Sequence, residues 1–287
     1  MEYEIHSVGE YIKKCFSNPV LKKDDMQVIY RGVNKIYRKK PYIPSIYYNP
    51  GLIEKEDIIF KEALSFFPEE LLAQRTTVEK LIIMQHYRFP TRILDISKNP
   101  LIALFFACFA DKNPETSKKD GMIYVFKVPK NEIKYCDSDT VSVIANLCKK
   151  PVDFPIKDIN GKNWNRENFN EIDEVQYLIH EVRDEKPYFH PLVVPDDINS
   201  VICLRPRMNN PRIVRQDGYF FLFGIDHEKK NCAELKSKWI DKRRYLIPHD
   251  VKSTILRELD ILNINESFVY PDYEHVSAYL RKRYTKQ

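Results

Sequence analysis

Helical and strand-like periods of apolar residues alternate along this chain, and both are interrupted once, between Leu81 and Asp111. Leu81, Ile82, Ile83 and Met84 close one largely apolar helix, and Leu101 to Ala110 form another that is apolar nearly all round. A helix with no polar face belongs in a core, and this one falls well short of the ~20 residues needed to cross a bilayer. Ser97 or Asn99 can cap its free N–H groups, and Pro100 has the fixed φ suited to a first turn. Between the helices lies a polar knot, Gln85 to Asp95. Buried without partners, its side chains would cost roughly 2–7 kcal/mol per neutral group and more per charge. Gln85, His86, Arg92 and Asp95 therefore either form a hydrogen-bonded network, with Arg92 against Asp95, or face a cleft.

The periods on either side predict the remaining elements. Val8, Tyr11, Ile12 and Cys15 make one face of a short helix that Ser7 can cap. A β-prone run from Met26 ends on Arg31 and Gly32, an arginine delivered where the backbone must turn or approach something closely. Glu54 to Phe67 and Thr77 to His86 read as amphipathic helices, and Met122 to Val128 as a strand that Pro129 ends. Helices over 140–150 and 166–183 fill a charged middle third that we read as an elaboration within one domain. Two β-rich runs, Val201 to Leu204 and Tyr219 to Ile225, flank a polar loop. Arg244 to Pro248 is strand-like, and helices follow over Val251 to Leu262 and about Asp272 to Tyr284. Strands separated by helices without regular βαβ alternation, and no G-x-G-x-x-G turn, argue for an α+β fold with small, split sheets and peripheral helices.

Composition narrows the function classes. The 287 residues are 43% hydrophobic, enough for a real core, and 46 basic side chains face 41 acidic ones for a net charge of +5. That balance does not by itself indicate a nucleic-acid binder. Six scattered cysteines with no C-x-x-C pair and no zinc-like spacing predict reduced thiols and no metal. The acidic start MEYEIHSVGEY has no apolar signal region, which predicts a cytoplasmic protein with no membrane partner. Only seven glycines are present, so each is expected to have a local backbone reason.

Two clusters invite a ligand. Arg205, Arg207, Arg212 and Arg215 crowd the loop before Gln216 and Asp217, and guanidinium forks match phosphate or carboxylate. The alternative is pairing with the acidic middle third. Arg38, Lys39 and Lys40 stand beside Tyr42, Tyr47 and Tyr48, as cations and stacking faces do in single-strand sites, or form a solvated loop.

Tyr30-Arg31-Gly32, Gln85-His86-Tyr87 through Pro90-Thr91-Arg92-Ile93-Leu94-Asp95, Asn99 to Ala107, and Arg212 through Gln216-Asp217-Gly218-Tyr219-Phe220 resemble successive blocks of the FRG domain family, named for its F/Y-R-G motif. The ending, Ile247-Pro248 and Val269-Tyr270-Pro271-Asp272, is similar to that family's as well. On this resemblance residues 1–287 form a single FRG-type domain, with 131–199 a mostly helical elaboration. Arg88 departs from the pattern, standing where a glycine is common after Gln-His-Tyr.

The family supplies no activity, but the order of blocks more distantly resembles ADP-ribosyltransferases. That likeness implies an ADP-ribosyltransferase-like fold, NAD as substrate and, by extension, a toxin-like enzyme of bacterial defence or stress. Arg31, Gln216 and Asp95 would then be catalytic, and Arg31, Gly32, His86, Thr91, Ser97 and Arg212 would hold NAD. Gln216 falls where those enzymes carry a glutamate, and an amide lacks the charge that stabilises an oxocarbenium-like transition state. Asp95 is the candidate to restore it. The readings left open are a transferase with a relocated acid and a protein or nucleic-acid acceptor, an NAD glycohydrolase, a nucleotide-binding sensor without turnover, and a nucleic-acid-binding effector.

Overall fold

The computed structural model describes residues 1–37, 41–110, 114–154 and 166–285. Its strands, in chain order, are β1 (Glu2–Glu4), β2 (Met26–Val33), β3 (Ile93–Ser97), β4 (Gly121–Pro129), β5 (Ile133–Tyr135), β6 (Val201–Arg205), β7 (Gly218–Phe223), β8 (Ile225–Asp226), β9 (Glu228–Cys232) and β10 (Ile240–Ile247). Eight of them form one mixed sheet in the order β1-β10-β4-β2-β3-β7-β6-β5, and β8 and β9 make a separate hairpin. The fold is α+β, but the small, split sheets expected from the sequence are corrected to one wide sheet. Its pairings join distant segments: β2 lies against β4, and β3 against β7. No local pattern carries that information.

Strand alternation gives the sheet two unlike faces. On one, Leu94 and Ile96 of β3 meet Phe126, Phe221 and the buried Trp239. The other carries two separate clusters. In the first, the helix Pro100–Cys108 packs Ile102, Ala103, Leu104 and Phe105 onto Val28 and Tyr30 of β2 and Ile123 and Val125 of β4. In the second, the helices Thr77–His86, Asp139–Asn146 and Asp173–Glu185 bury Leu81, Ile144, Leu178 and Ile179 against Ile93, Leu204 and Leu222. The helical segment after β5 thus shares the core of the sheet.

The fully apolar helix is seated by glycine. A Cβ on Gly32 would lie 1.8 Å from the Ala103 carbonyl oxygen, and one on Gly121, on the neighbouring strand, 2.2 Å from that of Ala107. Two bare strand positions let the helix backbone lie directly on the sheet. Gly32 therefore has a packing reason as well as a place in the Y-R-G motif. Of the two candidate caps, Asn99 takes the role, its Oδ1 accepting the Leu101 N–H at 2.9 Å.

Candidate functional site

The β2–β3 edge is where the sheet opens. β2 pairs with β4 along its whole length but with β3 only through Tyr30 and Ser97. Beyond that pair β3 is held by β7 alone, and the Arg31 side chain crosses the gap, its Nη1 donating to the Asp95 carbonyl oxygen at 2.8 Å. A cavity of about 470 Å³ opens here, within the range of small-molecule sites. Its lining draws on the helix-bearing face through Phe106 and Phe220 and on the opposite face through Val33, Tyr37 and Ile96.

Of the expected site residues, Arg31, Gly32, His86, Asp95, Ser97, Arg212 and Gln216 all line this cavity, although they come from four separate stretches of chain. Thr91 does not. It stands behind the wall, its hydroxyl donating to Gln85 Oε1 at 2.6 Å, while Gln85 Nε2 donates to Asp95 Oδ2 at 2.6 Å. Thr91 thereby fixes the amide, and the amide fixes the carboxylate. The expected Arg92–Asp95 pair is absent: Arg92 is fully buried and forks onto Glu56, with Nε to Oε1 at 2.8 Å and Nη2 to Oε2. Residues three apart in extended chain point to opposite sides, so the two could not meet.

The two arginines of the cavity are equipped alike. Arg212 Nη1 donates to the His86 carbonyl oxygen at 2.7 Å, and its guanidinium lies 4.5 Å over the Tyr270 ring, which stacks in turn on His275. In both Arg31 and Arg212 the Nε is buried with no hydrogen-bond partner among the described residues. A buried donor left so costs free energy until something accepts from it. The remaining loop arginines go elsewhere: Arg205 lies over Tyr135, Arg207 pairs with Glu79, and Arg215 donates to the Ser267 carbonyl oxygen. Only Tyr135 of these partners belongs to the middle third, and none is one of its acids.

His86 is neutral at physiological pH, because burial, reinforced by nearby Arg212, pushes its pKa down to about 3. Ser97 is a joint: its hydroxyl donates to the Gln216 carbonyl oxygen at 2.6 Å and accepts the Asn99 N–H at 3.0 Å. Gln216 sits at the end of a short helix, Pro211–Gln216, within what the sequence reads as a polar loop. Asn210 caps that helix and Pro211 begins it, a start signal present in the sequence. The Gln216 Nε2 donates to the Val269 carbonyl oxygen at 3.0 Å, which leaves Oε1 and the second Nε2 hydrogen to meet a ligand.

Aromatic walls complete the site. Phe106, Phe109 and Tyr270 stand at the Arg212 side, and Tyr37 and Tyr48, stacked with ring centroids 5.9 Å apart, at the Arg31 side. Proximity to tyrosine-rich sequence hinted at Tyr48; nothing local marked Phe106 or Phe109 as anything but core. Arg38, Lys39 and Lys40 lie outside the described residues. Among the described residues no His, Cys, Asp and Glu group could hold a metal ion, and no helix is long and apolar enough to cross a membrane.

The family model of the FRG domain matches residues 26–116, which hold Arg31, the polar knot and the apolar helix. No curated protein and no solved structure matches the chain.

Proposed function

We propose that this member of the FRG domain family binds a nucleotide of the NAD class in the gap between β2 and β3 and cleaves it at the nicotinamide ribose. The observation that carries the reading is the meeting of two guanidinium groups, each with an unpartnered buried Nε, and one oriented carboxylate in a single cavity. Arg31 and Arg212 face the phosphates, whose oxygens supply the missing acceptors. Phe106, Phe109 and Tyr270 flank a base at the Arg212 side.

Asp95 does the charged work. As the C1′–N bond breaks, nicotinamide leaves with the bonding pair and positive charge grows on the ribose. A carboxylate held in place by Gln85 stabilises that charge without reorganising. Water or an acceptor nucleophile then bonds to C1′ and gives up its proton. Gln216 offers its free Oε1 to a ribose hydroxyl and otherwise positions the wall. A second reading, a sensor that binds nucleotide without turnover, is favoured by the amide at Gln216.

Calorimetry with NAD and an assay for released nicotinamide separate these. Arg31→Ala is expected to lose binding. Asp95→Asn is expected to bind NAD but to release nicotinamide about 100-fold more slowly or less. Binding by the wild type without release in the presence of cell lysate favours the sensor, and no binding at all overturns both.

A further inference from the structure

Outside the cavity, on the other side of Tyr37, lies an open trough of about 760 Å³ lined by Lys35, Ile36, Tyr37, Lys118, Lys119, Asp120 and His249. Tyr37 belongs to both hollows, so the trough leads onto the lip of the cavity. Among its described lining residues the only carboxylate is occupied, Asp120 Oδ1 accepting the His249 backbone N–H at 2.9 Å and meeting the ring Nδ1 at 3.1 Å. Lys118 and Lys119 are exposed, and among the described residues no carboxylate pairs with them or with Lys35. Lys35 Nζ instead lies 5.0 Å from the Tyr37 ring centre.

The banks of the trough are tied together from below. Lys252, a buried side chain, donates from Nζ to the Asn34 carbonyl oxygen at 2.7 Å and reaches that of Thr116 at 3.5 Å. Asn34 Nδ2 donates to the Phe109 carbonyl oxygen at 3.0 Å. The segments carrying Lys35 and Lys118–Lys119 are thus held at a set spacing. A row of unpaired ammonium groups calls for a polyanion. The stacked tyrosine pair at its end, with Tyr48 50% exposed, calls for one with flat rings.

We infer that this trough binds single-stranded nucleic acid, with the backbone along Lys35, Lys118 and Lys119 and a base stacked at Tyr37 and Tyr48. On the reading of the cavity given above, that strand is the acceptor: a base nitrogen or a hydroxyl oxygen bonds to C1′ as nicotinamide leaves with the bonding pair, and the attacking atom loses its proton to solvent. The binding itself does not depend on that reading.

The test is fluorescence anisotropy of labelled oligothymidine and oligouridine on the full chain without NAD. With three phosphates neutralised, affinity should fall about 20-fold between 50 and 200 mM salt. Lys118→Glu/Lys119→Glu, both on the surface, should lose at least about tenfold more while melting as the wild type does. Tyr48→Ala should weaken binding about tenfold with the salt slope unchanged. Absence of binding, wild-type affinity in the double lysine variant, or equal competition by duplex DNA or by polyglutamate overturns the inference. Because Lys118 and Lys119 lie outside the cavity, NAD binding by the same variant reports separately on the NAD reading.

Discussion

Among the described residues Glu56 is the single buried anion between two buried cations, and removing it should unbalance the core beneath the site. Arg92 is 0%, Lys229 1% and Glu56 3% exposed. Arg92 forks onto Glu56, Lys229 Nζ meets Glu56 Oε2 at 3.0 Å, and both cations also donate to carbonyl oxygens, those of Phe223 and Lys150. Burial alone would raise the Glu56 pKa, yet Arg92 and Lys229 hold it below the usual carboxylate range. Burial, with Arg92 adding to it, lowers that of Lys229. Glu56→Ala leaves two desolvated cations facing each other, a loss of about 3–5 kcal/mol. Against a total stability of roughly 5–15 kcal/mol that is a large share, equivalent to a fall in Tm of roughly 6–20 °C.

Lys229→Met separates charge balance from mere loss of contact. It removes the surplus cation and spares the forked pair, so it should cost no more than about 1 kcal/mol, the value of its lost hydrogen bond. Urea unfolding followed by circular dichroism measures both. The pH dependence fixes the sign. A carboxyl whose folded pKa is depressed contributes stability that is complete above its unfolded value, about 4.3, and is lost as pH falls through the folded one. The gap between wild type and Glu56→Ala should therefore close in acid. A Lys229→Met loss as large as that of Glu56→Ala, or a gap constant with pH, would refute the charge argument.

Gly32→Ala would set a Cβ against the backbone of Ala103 and Ala107, and at least about 1–3 kcal/mol of overpacking should appear as a lower melting temperature or insoluble protein. Gly9→Ala, in the helix Val8–Phe16 with nothing within 4 Å of the new Cβ, should instead stabilise by up to about 1 kcal/mol in the same melt. For His86, buried with a pKa near 3, the ring proton shifts in an NMR titration should stay flat from about pH 5 to 8. Its folded pKa lies below its unfolded one, so it withdraws stability as pH falls below about 6.5. A ring that titrates near 6.5 in the folded protein would contradict this.

What the sequence disclosed, it disclosed through local periods. The apolar helix, the strand that carries Arg31 and the Ser7 cap all follow from patterns a few residues long. β3 was hidden because its five residues, Ile-Leu-Asp-Ile-Ser, place two polar side chains on one face and so read as part of a knot. The width of the sheet was hidden because β3 takes its partner, β7, from far down the chain. The partner of Arg92 was misread for a related reason. A nearby carboxylate, Asp95, looked sufficient, but strand geometry sends it to the other side and Glu56 answers from a distant helix.

That division of labour explains how one short stretch both anchors the core and furnishes a site. Arg92, just before β3, points into the core and ties the strand to Glu56, while Asp95, three residues on, points the other way into the cavity. Gln85 reaches Asp95 only because the chain reverses sharply after the helix Thr77–His86. Arg88 makes that reversal at φ 67°, in the left-handed region where glycine is at ease. A glycine would take this conformation freely, and a side chain there carries strain without changing the route of the chain. Where Arg88 differs from glycine is in lining the cavity, so the substitution bears on which ligand enters and leaves intact the Thr91–Gln85–Asp95 chain that aims the carboxylate.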